Sequence, residues 1–185
     1  ESMKKFQILL ICILFCTKFY ANTPNWQMVS GGDPIAPPVK NEYGLTILLD
    51  GRTMGAVTAK GHFQWLSTVP GGNPSPFLGK GDGGFIYTVS GNNKLSVFNP
   101  SGLCLWTKET PAEIISAPIQ GKDGRIFVQC NQQITCFGIN GKIKWNIQAQ
   151  PSAGFPLLQL DDGSILHIKK KTISETPELY INDEV

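Results

Sequence analysis

An all-β fold built from repeated four-stranded antiparallel units is predicted by three features of the 185-residue sequence. Tryptophan recurs at Trp26, Trp65, Trp106 and Trp145, at intervals of 39, 41 and 39 residues. One glycine column, Gly44, Gly83, Gly124 and Gly163, follows each tryptophan by 18 residues, and a second, Gly61, Gly102 and Gly141, precedes the last three by four. Between these markers, short runs of alternating apolar residues are cut by turn dipeptides, without helical periodicity. A four-stranded meander repeated about every 40 residues is the sequence form of a β-propeller blade. One such sheet cannot bury both faces alone, so blades must stack on one another.

Taken in order, residues 1–21 read as a secretory signal peptide. Lys4 and Lys5 precede an apolar run from Phe6 to Phe15, and Ala21 closes a short polar stretch. The run is about half the roughly 20 residues that a membrane span requires. Cys16 offers the alternative of a lipidated cysteine, although bulky Phe15 stands where a small residue is wanted. Removing this segment takes Lys4, Lys5, Lys18 and Glu1 from a net charge of +2 and leaves the remainder neutral. Neither nucleic acid nor an anionic membrane is then an electrostatic partner.

Residues 22–185 carry the blades, as tryptophan-ended repeats near 26–65, 66–106 and 107–145 and a partial repeat over 146–185. The third repeat shows the pattern best, with strands expected at Ala117 to Gln120, Arg125 to Cys130, Ile134 to Phe137 and Lys142 to Gln148. Asp123-Gly124 and Asn140-Gly141 supply the tight turns, because glycine accepts the positive φ that other residues resist. In the fourth repeat, Ser164 to Lys169 and Glu178 to Ile181 can form two further strands. About four repeats predict an incomplete ring that self-associates through uncovered strand edges. The alternative is that the strand from Trp26 to Val29 completes the fourth blade and closes a small ring.

The blade tails read AVTAKGHFQW at 56–65, SVFNPSGLCLW at 96–106 and TCFGINGKIKW at 135–145. They resemble the PQQ-like, quinoprotein-type propeller repeat, which ends in a small residue, an acidic residue, a threonine and then Gly-x-x-x-Trp. The resemblance implies that each tryptophan docks its blade onto the neighbour. The Gly-x-x-x-Trp core matches three times, and Gly55, Ser96 and Thr135 meet the small position. Val57, Phe98 and Phe137 replace the acidic residue, and Lys60, Ser101 and Asn140 replace the threonine.

No residue set points to catalysis, a cofactor or a metal. Among the cysteines, Cys104, Cys130 and Cys136 align with core hydrophobes, Cys130 with Val89 and Cys136 with Val97. They read as buried apolar residues, with a Cys130–Cys136 cross-strand disulfide on one hairpin face as the alternative. His62 reads as a solvated turn residue and His167 as a core histidine, in a column with Leu48, Tyr87 and Val128. Asp82, Asp123 and Asp162 are explained by turn chemistry, and Lys169, Lys170 and Lys171 by protection of a strand edge.

The enzymes of the resembled family hold calcium with acidic and amide side chains and often carry a vicinal Cys-Cys pair, which is missing from this sequence. The expectation is therefore a non-enzymatic, exported scaffold or protein-binding propeller of the bacterial cell envelope, periplasmic or secreted, possessing a protein partner and no cofactor. Exported PQQ-like propellers of that kind include the lipoprotein of the outer-membrane β-barrel assembly machinery. Alternatives are the ligand-sensing N-terminal propeller of a longer envelope protein and a fragment of a quinone-dependent dehydrogenase. The loops at 71–76, 90–94 and 107–113 are the candidate contact surfaces.

Overall fold

The computed structural model describes residues 34–169 and the backbone of 179–182. Trp26, the signal-like segment, Lys170 and Lys171 lie outside the described residues. The chain forms successive antiparallel meanders. The first sheet holds β1 (Val39–Lys40), β2 (Thr46–Asp50), β3 (Thr53–Val57) and β4 (Phe63–Thr68). The second holds β5 (Pro74–Lys80), β6 (Ile86–Ser90), β7 (Lys94–Phe98) and β8 (Cys104–Glu109), and the third β9 (Ile119–Gln120), β10 (Ile126–Cys130), β11 (Gln133–Phe137) and β12 (Ile143–Gln148). In the fourth, β13 (Leu158–Gln159), β14 (Ile165–Ile168) and β15 (Leu179–Asn182) form three strands.

The side-chain period of two sends alternate residues of each middle strand to opposite neighbours. From the first sheet, Ile47, Leu49, Met54 and Ala56 meet Leu78, Ile86 and Phe98 of the second. The other face of the second, Tyr87, Val89, Leu95 and Val97, packs on Ile126, Val128, Cys130 and Phe137 of the third. The third then turns Phe127, Ile134 and Cys136 toward Leu157 and Ile165 of the fourth repeat. With both faces covered, every residue of β6, β10 and β11 is buried. The first strands converge, as Lys80 Nζ donates to the Lys40 carbonyl at 3.3 Å, so they line the axis and the fourth strands lie outermost. This is the propeller arrangement, with one apolar core per seam between blades.

One sequence column shifts. In each blade the loop between the first and second strands is closed by one hydrogen bond: Asn41 N to Leu45 O, Gly81 N to Phe85 O, Gly121 N to Arg125 O and Leu160 N to Ser164 O. The glycine that precedes the acceptor residue is Gly44, Gly84, Gly124 or Gly163, all at positive φ. Gly84, not Gly83, is thus the equivalent residue of the second blade: the loop from Gly81 to Phe85, with its 3₁₀ turn Asp82–Gly84, is as long as the others, so the extra residue enters ahead of it, between Trp65 and Gly81. A second extra residue lengthens the β6–β7 hairpin, residues 91–93, relative to 51–52 and 131–132. These two insertions account for the 41-residue tryptophan interval between two of 39. The first also realigns His167 with Thr88 and Cys130 with Ser90.

Candidate functional site

The seams between blades organise the surface. Where each outer strand begins, the register slips by one residue just before the tryptophan: Ala56 pairs with Trp65 but Val57 with Phe63, and the same bulge recurs at Val97/Phe98 and Cys136/Phe137. A bulge re-aims the following side chain. Here it lays the indole of Trp65 on the next blade, where Nε1 donates to the Pro100 carbonyl at 2.8 Å. Trp106 repeats this with the Ile139 carbonyl at 2.9 Å. The ring needs a glycine beneath it, since a Cβ on Gly102 would stand 2.6 Å from the Trp65 ring, and one on Gly141 3.0 Å from the Trp106 ring. Ser67 Oγ adds a hydrogen bond to the Gly102 carbonyl. Trp145 stacks obliquely on Phe127, with centroids 5.8 Å apart, but its buried Nε1 finds no acceptor among the described residues.

Gly61, Gly102 and Gly141 therefore close turns of one design. Gly61 N donates to Thr58 O, Gly102 N to Asn99 O and Gly141 N to Gly138 O. Side chains cap these turns: Thr58 Oγ1 accepts from His62 N, Asn99 Oδ1 from Ser101 N and Leu103 N, and Asn140 Oδ1 from Lys142 N.

The Cys130–Cys136 disulfide is overturned. Both are free thiols, and they lie on opposite faces of the β10–β11 hairpin, Cys130 beside Gln133 and Cys136 beside Phe127. The extra residue ahead of Gly84 in the second blade shifts the Cys130 alignment by one position, and a one-residue shift reverses the face. Cys130 thus belongs to the second seam and Cys136 to the third. Burial raises both thiol pKa values, Cys136 to about 11, keeping them protonated and unreactive. In the folded chain, iodoacetamide should leave both unmodified. After denaturation without reductant, mass mapping should find both alkylated.

His167 is buried in the column of Leu48 and Val128, and burial lowers its pKa from 6.5. The folded state then binds protons less readily than the unfolded one. Stability contributed by this site is complete above about pH 6.5 and falls as pH drops through the lowered folded value. His167→Leu should remove that part of the acid-side decline in urea-unfolding midpoints, while leaving the midpoint above pH 7 little changed.

The carboxylates serve turns. Asp162 Oδ1 accepts from Ser164 N at 2.9 Å, which holds its pKa below the ordinary value. Asp123 pairs with Arg125, and Asp161 with Lys122 at 2.9 Å. Burial, aided by the Asp82 charge, raises the Tyr87 phenol, which donates to Gln120 Oε1. Among the described residues no three His, Cys, Asp or Glu side chains gather as metal ligands.

The expected contact loops are pinned. Ser90 Oγ donates to the Pro70 carbonyl at 2.6 Å, and buried Thr110 donates to the Ala112 carbonyl at 2.6 Å. More telling is the circumference, where Leu66, Leu103, Leu105, Ile139 and Ile143 are 44–63% exposed. The sequence carried a signal for this: β8 reads Cys104-Leu105-Trp106, apolar on both faces, though its edge position leaves one face outside.

These observations define a β-propeller arc, and solved propellers match it. It superposes on BamB of Moraxella catarrhalis with a TM-score of 0.62 and 18% identity, over 77% of this chain and 45% of that one. For a Bacteroides caccae protein of unknown function the values are 0.58 and 14%, over 84% and 63%; for the WD40 domain of Neurospora crassa Pan2 they are 0.56 and 17%, over 79% and 46%. At such identities the likeness is one of fold, and the chain spans about half to two thirds of these propellers. No family model and no curated protein matches the chain. Among the described residues no helix is long and apolar enough to cross a membrane.

Proposed function

We propose that the chain is an exported, non-catalytic propeller that binds a protein partner in the bacterial cell envelope. The observation that carries this reading is the exposed apolar rim, Leu66, Leu103, Leu105, Ile139 and Ile143, mounted on rigid outer strands and turns. Exposed apolar patches on a packed β scaffold are the usual chemistry of a protein interface. Export is supported by the Lys4-Lys5 and Phe6–Phe15 pattern, and envelope residence by the architecture shared with BamB.

Photo-crosslinking tests it. A photoreactive amino acid replacing Leu105 should yield one discrete adduct in living cells, and Leu66→Asp should diminish that adduct without changing the melting temperature. The reading fails if no rim position gives an adduct, or if added quinone and calcium bind stoichiometrically and confer dye-linked alcohol oxidation.

A further inference from the structure

Charge is segregated across the blades. The turns between third and fourth strands, together with the outer strands they lead into, occupy residues 58–68, 99–109 and 138–148. They hold Lys60, Lys108, Lys142 and Lys144, all exposed, against one acidic residue, Glu109. Glu109 is engaged by Lys94 at 3.7 Å, whereas none of the four lysines forms an ion pair among the described residues. The carboxylates gather nearer the axis, as Glu42, Asp82, Asp123, Asp161 and Asp162 in the loops between first and second strands.

We infer that the rim takes a segment of partner polypeptide in which Asp or Glu side chains stand among apolar ones. This rests on the reading that the rim binds a protein, and adds the chemistry of the segment bound.

The apolar and cationic groups of the rim are interleaved: exposed Ile143 lies between Lys142 and Lys144, and Lys108 follows Leu105 by three residues. A purely apolar segment covering Ile143 would leave both ammonium groups beside a surface losing its water. A carboxylate in the same segment pairs with them as water leaves, where the attraction strengthens, and a basic segment is repelled.

A polypeptide fits better than an anionic membrane for three reasons. Among the described residues β8 and β12 pair on one side only, so the other edge offers N–H and C=O groups that a second backbone can meet and hydrocarbon cannot. In an antiparallel meander the loops after the first and third strands leave the same end of the blade, so a headgroup layer that met the lysines would also meet the carboxylates. Trp65 and Trp106, the residue type suited to a bilayer interface, are held on the Pro100 and Ile139 carbonyls.

The test places a photoreactive amino acid at Ile143 of the full chain, crosslinks in living cells and sequences the joined partner peptide. That peptide should carry Asp or Glu within a few residues of the joined site. Lys142→Glu with Lys144→Glu should cut the adduct yield about fivefold, whereas Lys142→Arg with Lys144→Arg should preserve it. Arg52→Glu, at an exposed cation on the opposite end of the first blade, should also leave it unchanged. A partner peptide without carboxylates overturns the inference, as does a yield indifferent to the glutamate pair in a chain of unchanged melting temperature. So does an adduct at Leu105 with none at Ile143; no adduct at any rim position overturns the protein-binding reading as well. A joined peptide from this same chain would assign the rim to a second copy. Lysine-dependent flotation of the purified chain with phosphatidylglycerol vesicles would assign it to lipid, and either result overturns the inference. Should the glutamate pair fail to fold, Lys142→Gln with Lys144→Gln and the sequenced peptide decide.

Discussion

Gly102→Ala should lower the unfolding free energy by about 2–4 kcal/mol, whereas Gly163→Ala should cost only about 1 kcal/mol. Both glycines sit in the left-handed region, at φ +81 and +95, so both substitutions carry backbone strain. They differ in what the new methyl meets. At Gly163 nothing lies within 4 Å, but at Gly102 the Trp65 ring is 2.6 Å away and Ser67 Oγ 2.8 Å. The ring cannot retreat without breaking its 2.8 Å hydrogen bond to Pro100 and disturbing the first seam. Urea titrations of both variants would measure the difference. Equal costs would mean that the dock glycine is conserved in each repeat for its backbone alone and that the ring tolerates displacement.

The comparison bears on what the sequence could disclose. Tryptophan and glycine spacing carried the blades because a repeated seam demands a repeated pair: Trp65 needs Gly102, and Trp106 needs Gly141, wherever the intervening loops vary. Third-repeat strands expected from turn dipeptides coincide with β9 to β12 to within two residues at each end. Columns that run through loops of varying length do not keep phase. One extra residue before Gly84 and one in the β6–β7 hairpin left the tryptophan ladder legible but shifted the columns between them, which put Cys130 on the wrong face and Tyr87 beside His167. Hydrophobic period alone could not reveal those shifts, because β6 and β10 are buried on both faces and accept apolar residues at every position. The outer rim was hidden for the opposite reason: Leu105 looks like core in a strand whose exposure depends on its place at the edge of the sheet.

Replacing the tryptophans by phenylalanine should separate the two roles of the indole. Trp106→Phe keeps a ring against Gly141 and loses the N–H, leaving the Ile139 carbonyl without its donor, at a cost of about 1 kcal/mol. Trp145→Phe should have the opposite sign. Its Nε1–H is buried with no acceptor among the described residues, so deleting it removes a desolvated donor and should be neutral or stabilising by up to about 1 kcal/mol. Trp106→Ala, which also removes the ring packed 6.1 Å from Phe137, should cost about 3–5 kcal/mol. Because each blade contacts only its neighbours, that loss should be local. Hydrogen exchange should then accelerate at Val97, Val128 and Phe137 in the second seam before it does at Ile47 and Leu49 in the first. Uniform acceleration would instead mean that the blades unfold as one cooperative unit. In that case the tryptophans would set the stability of the whole arc, with no independence between seams for a partner at the rim to exploit.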